Sequence, residues 1–425
     1  MSKSKYFWML FIIVVCIFVG VVWNIERKIQ QISLHTDEIS WFFHIDAFEQ
    51  LFIKKDITSE FWQSYESYDH PPLVKYIYGA YAWGRDPRVF EKRDILEKKW
   101  GRWEIYSNPA TTKEGFVDFG PHIRRMREIN LLALFGALVG FFLLLTHLGG
   151  VSPFIALLGA LILAYNPLYL QEMTHATSDA YMISFFVWAI VFYTISFQRK
   201  SIGFMYVSFV LAAFSVASKL TGGIAIVAML SYEVVRLMLA EERRKNIFVR
   251  MVLLVCVIVG LWIIVNPTLY RAPLQNSVHY ATFRIGQTQR LIYFERDAAL
   301  TSIEDKVRAS WCTLVQRNCN GFFEKGSFTA VSGLNIALVL GGVWYIAYQF
   351  RRVHRKLWLI SIVLFVSIVW NMLFLPLHYG RYYLPIQIGV FFISTCGLEI
   401  FRLYILSILK NKTPVFRRGI FDKTS

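Results

Sequence analysis

Runs of apolar residues long enough to cross a bilayer recur through this chain, and they constrain its fold more than any other feature. A hydrocarbon core about 30 Å thick takes about 20 helical residues to span, and helices satisfy every backbone N–H and C=O away from water. Such runs lie near 6–24, 130–147, 153–168, 179–196, 203–217, 222–238, 249–266, 330–349, 357–376 and 384–408. With 56% of 425 residues hydrophobic, a soluble core of ordinary size cannot absorb them. The expected fold is an all-α polytopic membrane protein with about ten transmembrane helices. The first run ends at Trp23-Asn24-Ile25, which offers no small-residue cleavage site, so it reads as a retained anchor.

A net charge of +16 suggests nucleic acid until its placement is considered. With a cytoplasmic N-terminus, the alternate segments Ser2–Lys5, 148–152, 197–201, 240–250, 350–357 and 409–425 face inside, and Lys and Arg gather there. The short outside segments 171–179, 218–221 and 377–383 carry only Lys219 and Arg381. Positive charge is retained on the cytoplasmic side, so this bias orients the chain and speaks against a nucleic-acid partner.

The expected organisation is a first anchor (1–24), an extracytoplasmic loop (25–129), helices two to seven (130–266), a second large extracytoplasmic loop (267–329), helices eight to ten (330–408) and a basic cytoplasmic tail (409–425). In the first loop Trp41, Ile45, Phe48 and Phe52 recur at helical spacing, which predicts an amphipathic helix lying in the membrane interface. Another short helix is expected to start at Pro71-Pro72 and to carry Tyr76, Tyr78, Tyr81 and Trp83 at headgroup level. Residues 85–125 read as a charged, irregular excursion. The second loop is too long for a simple connector and reads as a functional cover. Cys16, Cys256 and Cys396 fall within spans, whereas Cys312 and Cys319 share the second loop, where an oxidising compartment would permit a disulfide.

Several polar clusters, far apart in sequence, fall on the same outside face: Asp37-Glu38, Asp69 to Lys75, His175 to Asp179, Ser218 to Thr221 and His378 to Tyr382. Pro71 and Pro72 bar the preceding residue from the α region, so His70 and Asp69 are expected to be extended beside a helix start. Cations near a membrane surface can receive a phosphate: Arg381 as a bidentate fork, Lys75 and Lys219 as point charges, with His70 beside them. A carboxylate can take a proton from an acceptor hydroxyl. Asp37 is the expected base and Glu38 the holder of the acceptor, since neighbouring helical residues point about 100° apart. Asp69, Asp179, His378 and Tyr382 are expected in support. Plainer readings stand beside these: a solvated helix start at Asp37-Glu38, a turn at His70-Pro71-Pro72, an N-cap at Asp179 and snorkelling at Lys219 and Arg381. Glu233 with Arg236, and Glu399 with Arg402, read as structural pairs at i,i+3 spacing.

At these residues the chain resembles the protein O-mannosyltransferase branch of the polytopic GT-C glycosyltransferases, from about 30 to 395. His70-Pro71-Pro72-Leu73-Val74-Lys75 is similar to that family's His-Pro-Pro-Leu-Gly-Lys, with Val74 in place of the glycine, and Asp37-Glu38 matches its acidic pair. Weaker likenesses are Thr177-Ser178-Asp179, Ser218-Lys219-Leu220-Thr221 and Arg381-Tyr382-Tyr383-Leu384-Pro385. The resemblance implies an inverting transferase using a polyprenyl- or dolichyl-phosphate sugar, with one carboxylate of Asp37-Glu38 as base and the His70–Lys75 segment and Arg381 facing the donor phosphate. The acceptor would be protein Ser/Thr, and the length suits a form from the plasma membrane of a bacterium or archaeon. Residues 85–125 have no counterpart in the family pattern. The rival branch transfers aminoarabinose to a lipid or glycan; a rival of another class is a transporter, which would place charge near the bilayer midplane. Asp37, Asp69, Asp179, His175 and His378 could ligate a divalent metal, but no close ligand spacing appears and no cofactor is expected.

Overall fold

A computed structural model describes residues 3–29, 36–101, 109–239, 243–294, 299–311, 330–352, 357–374 and 380–409. Cys312, Cys319, His378 and the tail beyond 409 lie outside the described residues. Among the described residues the elements are helical, as the apolar runs predict. Six stretches are long and apolar enough to cross a membrane: Met9–Ile29, Val117–His147, Asp179–Arg199, Leu220–Met238, Arg244–Val265 and Arg381–Ile408. A seventh is broken, Pro153–Ala164 followed by Pro167–Thr174. The Asn166 side chain caps the second piece, accepting from the Tyr169 amide at 3.0 Å. Ile202–Ser218, Ile336–Ala347 and Leu359–Leu373 are further apolar helical stretches that coincide with expected spans, so among the described residues length and composition support six or seven crossings, and the expected count of ten is not confirmed.

The chain divides into two compact units, 1–140 with 166–296, and 141–165 with 297–425. The first holds α1 (Lys3–Ile29), α2 (Thr36–Phe43), α3 (Asp46–Phe48), α4 (Tyr65–Asp69), α5 (Leu73–Arg85), α6 (Val89–Trp100), most of α7 (Pro109–His147), α9 (Pro167–Thr174), α10 (Asp179–Arg199), α11 (Ile202–Ser218), α12 (Gly223–Met238), α13 (Arg244–Val265) and α14 (Pro273–Phe294). Helices α10 and α11 run antiparallel: Ser208 Oγ donates to Ala189 O (2.8 Å) and Ser215 Oγ to Met182 O (2.9 Å). Small hydroxyl residues at such a seam let helices approach and satisfy each other in an apolar surround. Glu233 and Arg236 form the expected pair at 3.2 Å, extended by Arg250 at 3.1 Å and the Tyr193 hydroxyl at 2.7 Å.

The second unit holds α8 (Pro153–Ala164), α15 (Ile303–Trp311), α16 (Ala330–Arg352), α17 (Leu357–Phe374) and α18 (Leu384–Leu409). Here α16 and α18 cross at glycines: a Cβ on Gly342 would strike the Ile393 carbonyl, and one on Gly397 the Leu338 carbonyl. Glu399 pairs with Arg402 at 2.5 Å, as expected, and also accepts from Ser152 Oγ at 2.8 Å.

Two expectations for the first loop are corrected. Trp41, Ile45 and Phe48 are 2, 0 and 8% exposed, so the stripe is protein core and not a membrane face; only Phe52 is well exposed. Gly79 of α5 lets α3 approach so closely that a Cβ there would overlap the Phe48 side chain. Nor is 85–125 irregular, since α6 and the start of α7 occupy its described parts. Arg93 pins α6 down: it is 6% exposed, pairs with Asp46 and sits 3.0 Å from Glu49.

Candidate active site

Asp37 and Glu38 sit in the first turn of α2, where carboxylates favour the positive end of the helix dipole. Their surroundings differ. Glu38 is fully buried and receives Arg127 in a fork, Nε to Oε1 at 2.7 Å and Nη2 to Oε2 at 2.5 Å; its Oε1 also accepts the Ala176 amide at 2.7 Å. Arg127 itself is buried and donates further to Ile29 O. Glu38 therefore holds the protein together here instead of waiting for an acceptor. Asp37, one position away, is only half-buried.

The Glu38–Ala176 bond draws the segment between α9 and α10 onto α2. Asn130 Nδ2 donates to His175 O, and the Tyr78 hydroxyl lies 2.8 Å from Asn130 Oδ1 and 2.7 Å from Thr177 O. Asp179 follows in the first turn of α10. The N-cap position belongs to Ser178, not to Asp179 as expected, and the Asp179 carboxylate instead meets Lys219 Nζ at 2.6 Å and Thr177 Oγ1 at 3.2 Å. Four clusters predicted from sequence, at Asp37-Glu38, at the His-Pro-Pro helix through Tyr78, at 175–179 and at Lys219, thus form one connected network.

At the His-Pro-Pro turn, His70 is extended (φ −134°, ψ 152°) as the following proline requires, but Asp69 is helical, the last residue of α4. The His70 ring stacks on Trp41 at 4.8 Å, and its Nε2 lies 3.5 Å from Asp69 Oδ2, as does that of His44. Lys75 does not reach outward as a phosphate ligand would. It is 1% exposed and donates to the carbonyls of Glu66 (2.5 Å) and Ser67 (3.3 Å), so it ties α5 back to α4. Burial, opposed by the Asp69 charge, pushes its ammonium down to about 7. The Tyr65 hydroxyl is pushed up to about 12 by burial and then by Asp69. Of the aromatic run on α5, Tyr78 is buried and Tyr76 donates to Val265 O at 3.0 Å, which places them in packing and leaves Trp83 exposed.

Three partners escaped the sequence reading. Arg284 and Gln287 of α14 reach Asp69, Arg284 Nη1 at 3.1 Å and Gln287 Nε2 at 2.5 Å from Oδ1. Their i,i+3 spacing in the second loop was the only available sign. Arg127 looked like one more basic residue ahead of a span, and its pairing with a carboxylate 89 positions away leaves no local trace. Arg381 and Tyr382 belong to the second unit, in a 3₁₀ turn at Gly380–Tyr383; the guanidinium lies 5.8 Å from the Tyr382 ring centre, and Tyr382 O accepts from Asn371 at 3.2 Å. Among the described residues, no group of three or more His, Cys, Asp or Glu is placed to hold a metal ion.

Buried carboxylates locked by cations, an accessible carboxylate beside them and a proline-fixed histidine turn are arranged on a polytopic helical scaffold. The scaffold is similar to that of the GT-C glycosyltransferases: the apo oligosaccharyltransferase of Archaeoglobus fulgidus shares the fold at a TM-score of 0.50 and 13% identity, over 97% of this chain and 52% of that one. The chain spans about half the length of that relative. Residues 123–270 match the model of a family described as dolichyl-phosphate-mannose-protein mannosyltransferase, so the likeness first read from motifs is shown independently. That stretch includes Arg127, Asn130, Asp179 and Lys219 and excludes Asp37 through Lys75. No curated protein matches the chain.

Proposed function

We propose that this protein is a membrane glycosyltransferase that moves a sugar, mannose on the family's pattern, from a polyprenyl- or dolichyl-phosphate donor to a hydroxyl on protein Ser/Thr. The acceptor oxygen bonds to the anomeric carbon as the bond from that carbon to the phosphate oxygen breaks. The phosphate leaves with the electron pair, and Asp37 takes the hydroxyl proton. A single displacement with one base inverts the anomeric centre. One observation carries the reading: Glu38 is locked by Arg127 and the Ala176 amide, which fixes α2 and leaves the neighbouring Asp37 half-buried.

His70 and Lys219 are proposed to meet donor phosphate, and Arg381 is proposed for the same role on its chemistry. Lys75 and Glu38 are positioning residues in this account. The reaction so written uses no metal, and EDTA is expected to leave turnover unchanged. Asp69 and Asp179 are proposed to orient His70 and Lys219. Chemistry on the extracytoplasmic side follows from the charge bias of the loops.

The test is transfer of labelled sugar from polyprenyl-phosphate-mannose by the purified protein in lipid. Asp37→Asn is expected to lose at least about 10²-fold in turnover with donor still bound. Normal turnover in that variant would remove Asp37 as base. Mutant-sensitive transfer to a lipid or glycan extract, and none to a Ser/Thr peptide, would move the acceptor to the aminoarabinose-type class.

A further inference from the structure

Helix α14 has a face that the site does not use. Its inner side carries Tyr280, Arg284 and Gln287, which lie within about 60° of one another at 100° per residue and reach α4 and Asp69. Leu274, Val278 and Ile285 fall together on the opposite side, and they are 86, 66 and 61% exposed. Large apolar side chains so exposed on one face of an amphipathic helix mark a surface that something covers.

The depth of the helix indicates what covers it. The Tyr280 ring, a third of the way along α14, meets the Trp262 ring edge-on at 5.6 Å. Trp262 lies in the last turn of α13, a membrane-crossing helix of which only 11% of the most apolar stretch is buried in the protein. The start of α14 is held at the same level, because Asn276 Nδ2 donates to Thr268 O at 2.6 Å, just beyond the end of α13. Thus α14 packs at the outer end of a span that the protein itself barely covers, and it carries an exposed apolar face there. Exposed Arg271 and Arg290 near its two ends suit the headgroup layer.

We propose that α14 is an interfacial helix, seated through Leu274, Val278 and Ile285 at the headgroup–acyl boundary of the leaflet beside the His-Pro-Pro turn. The membrane-surface helix anticipated at 41–52 is therefore supplied from the second loop. Through Arg284 and Gln287 the same helix ties Asp69 to the bilayer surface; the benefit of that tie for a lipid-linked donor rests on the transferase reading, while the seating does not.

The test places the photoreactive residue benzoylphenylalanine at Val278 or Ile285 in the full-length protein, reconstituted in phosphatidylcholine bilayers and irradiated. Covalent phospholipid adducts, read by mass spectrometry, are expected at both positions and not at Glu304, a 78% exposed residue of the charged helix α15. A dimer-sized adduct would give the face to a second copy of the chain, and no adduct would give it to water; either overturns the proposal, as does equal lipid labelling at Glu304. If one variant fails to fold, the same probe at Leu274 carries the test. The readout needs no turnover, so it stands or falls separately from the transferase reading.

Discussion

Arg127 meets both oxygens of Glu38 while each is almost completely buried. Charges removed from water so thoroughly are tolerable only together, and truncating one partner leaves the other uncompensated. Arg127→Met is expected to destabilise the protein by about 3–5 kcal/mol in denaturant unfolding, more than the paired change of Arg127→Met with Glu38→Leu. If the single variant unfolded like wild type, the ion pair would not be holding α2. Lys75 offers a pH signature. Its folded value of about 7 lies below the ordinary 10.5, so between these values the unfolded chain binds the extra proton. Stability should rise with pH from about 7 towards 10.5 and be lost as pH falls back through that window. The measurement is the melting temperature of wild type against Lys75→Met across pH 6–10, a range chosen about those two values; the wild type should lose ground to the variant as pH drops, and parallel curves would show that Lys75 is not buried as described.

At the scale of elements, the crossing of α3 and α5 depends on one missing side chain. Any Cβ on Gly79 would overlap Phe48, whose ring also stacks on Phe90 of α6 at 6.4 Å. Gly79→Leu should cost about 1–3 kcal/mol through overpacking, read as a lowered melting temperature, whereas the same substitution at Gly84, with open space around its Cβ position, should be nearly neutral. Equal effects at the two sites would argue against the close crossing. The periodic stripe at Trp41, Ile45 and Phe48 was legible as helix but not as core. Lipid and protein interior are both apolar, so helical periodicity identifies a buried face without naming what buries it. The same ambiguity hid α14, whose Leu274, Val278 and Ile285 are diluted by Gln275, Thr282 and Gln289.

At the scale of the molecule, the candidate base lies in one compact unit and Arg381 in the other. Arg381→Ala is expected to weaken donor binding by about tenfold or more, as loss of a charge-assisted hydrogen bond worth about 1.5–3 kcal/mol would. Retained affinity would return the phosphate role to His70 and Lys219. The measurement is titration of the purified variant with polyprenyl-phosphate-mannose, judged against a wild-type melting temperature.

Segment length and hydropathy determined the helical membrane architecture from the sequence alone, because the bilayer acts as a solvent on each segment separately. The loop charges likewise predict an orientation, and the prolines at 71–72 fixed the extended His70, since each of these effects is local. Only the tertiary structure decided that Glu38 and Lys75 are buried while Asp37 stays accessible, that Asp179 belongs to Lys219, and that α14 returns to Asp69 across 215 positions. Those outcomes turn on which distant groups desolvate one another, and the energy of a buried charge depends on its partner in space, which neighbours along the chain do not encode.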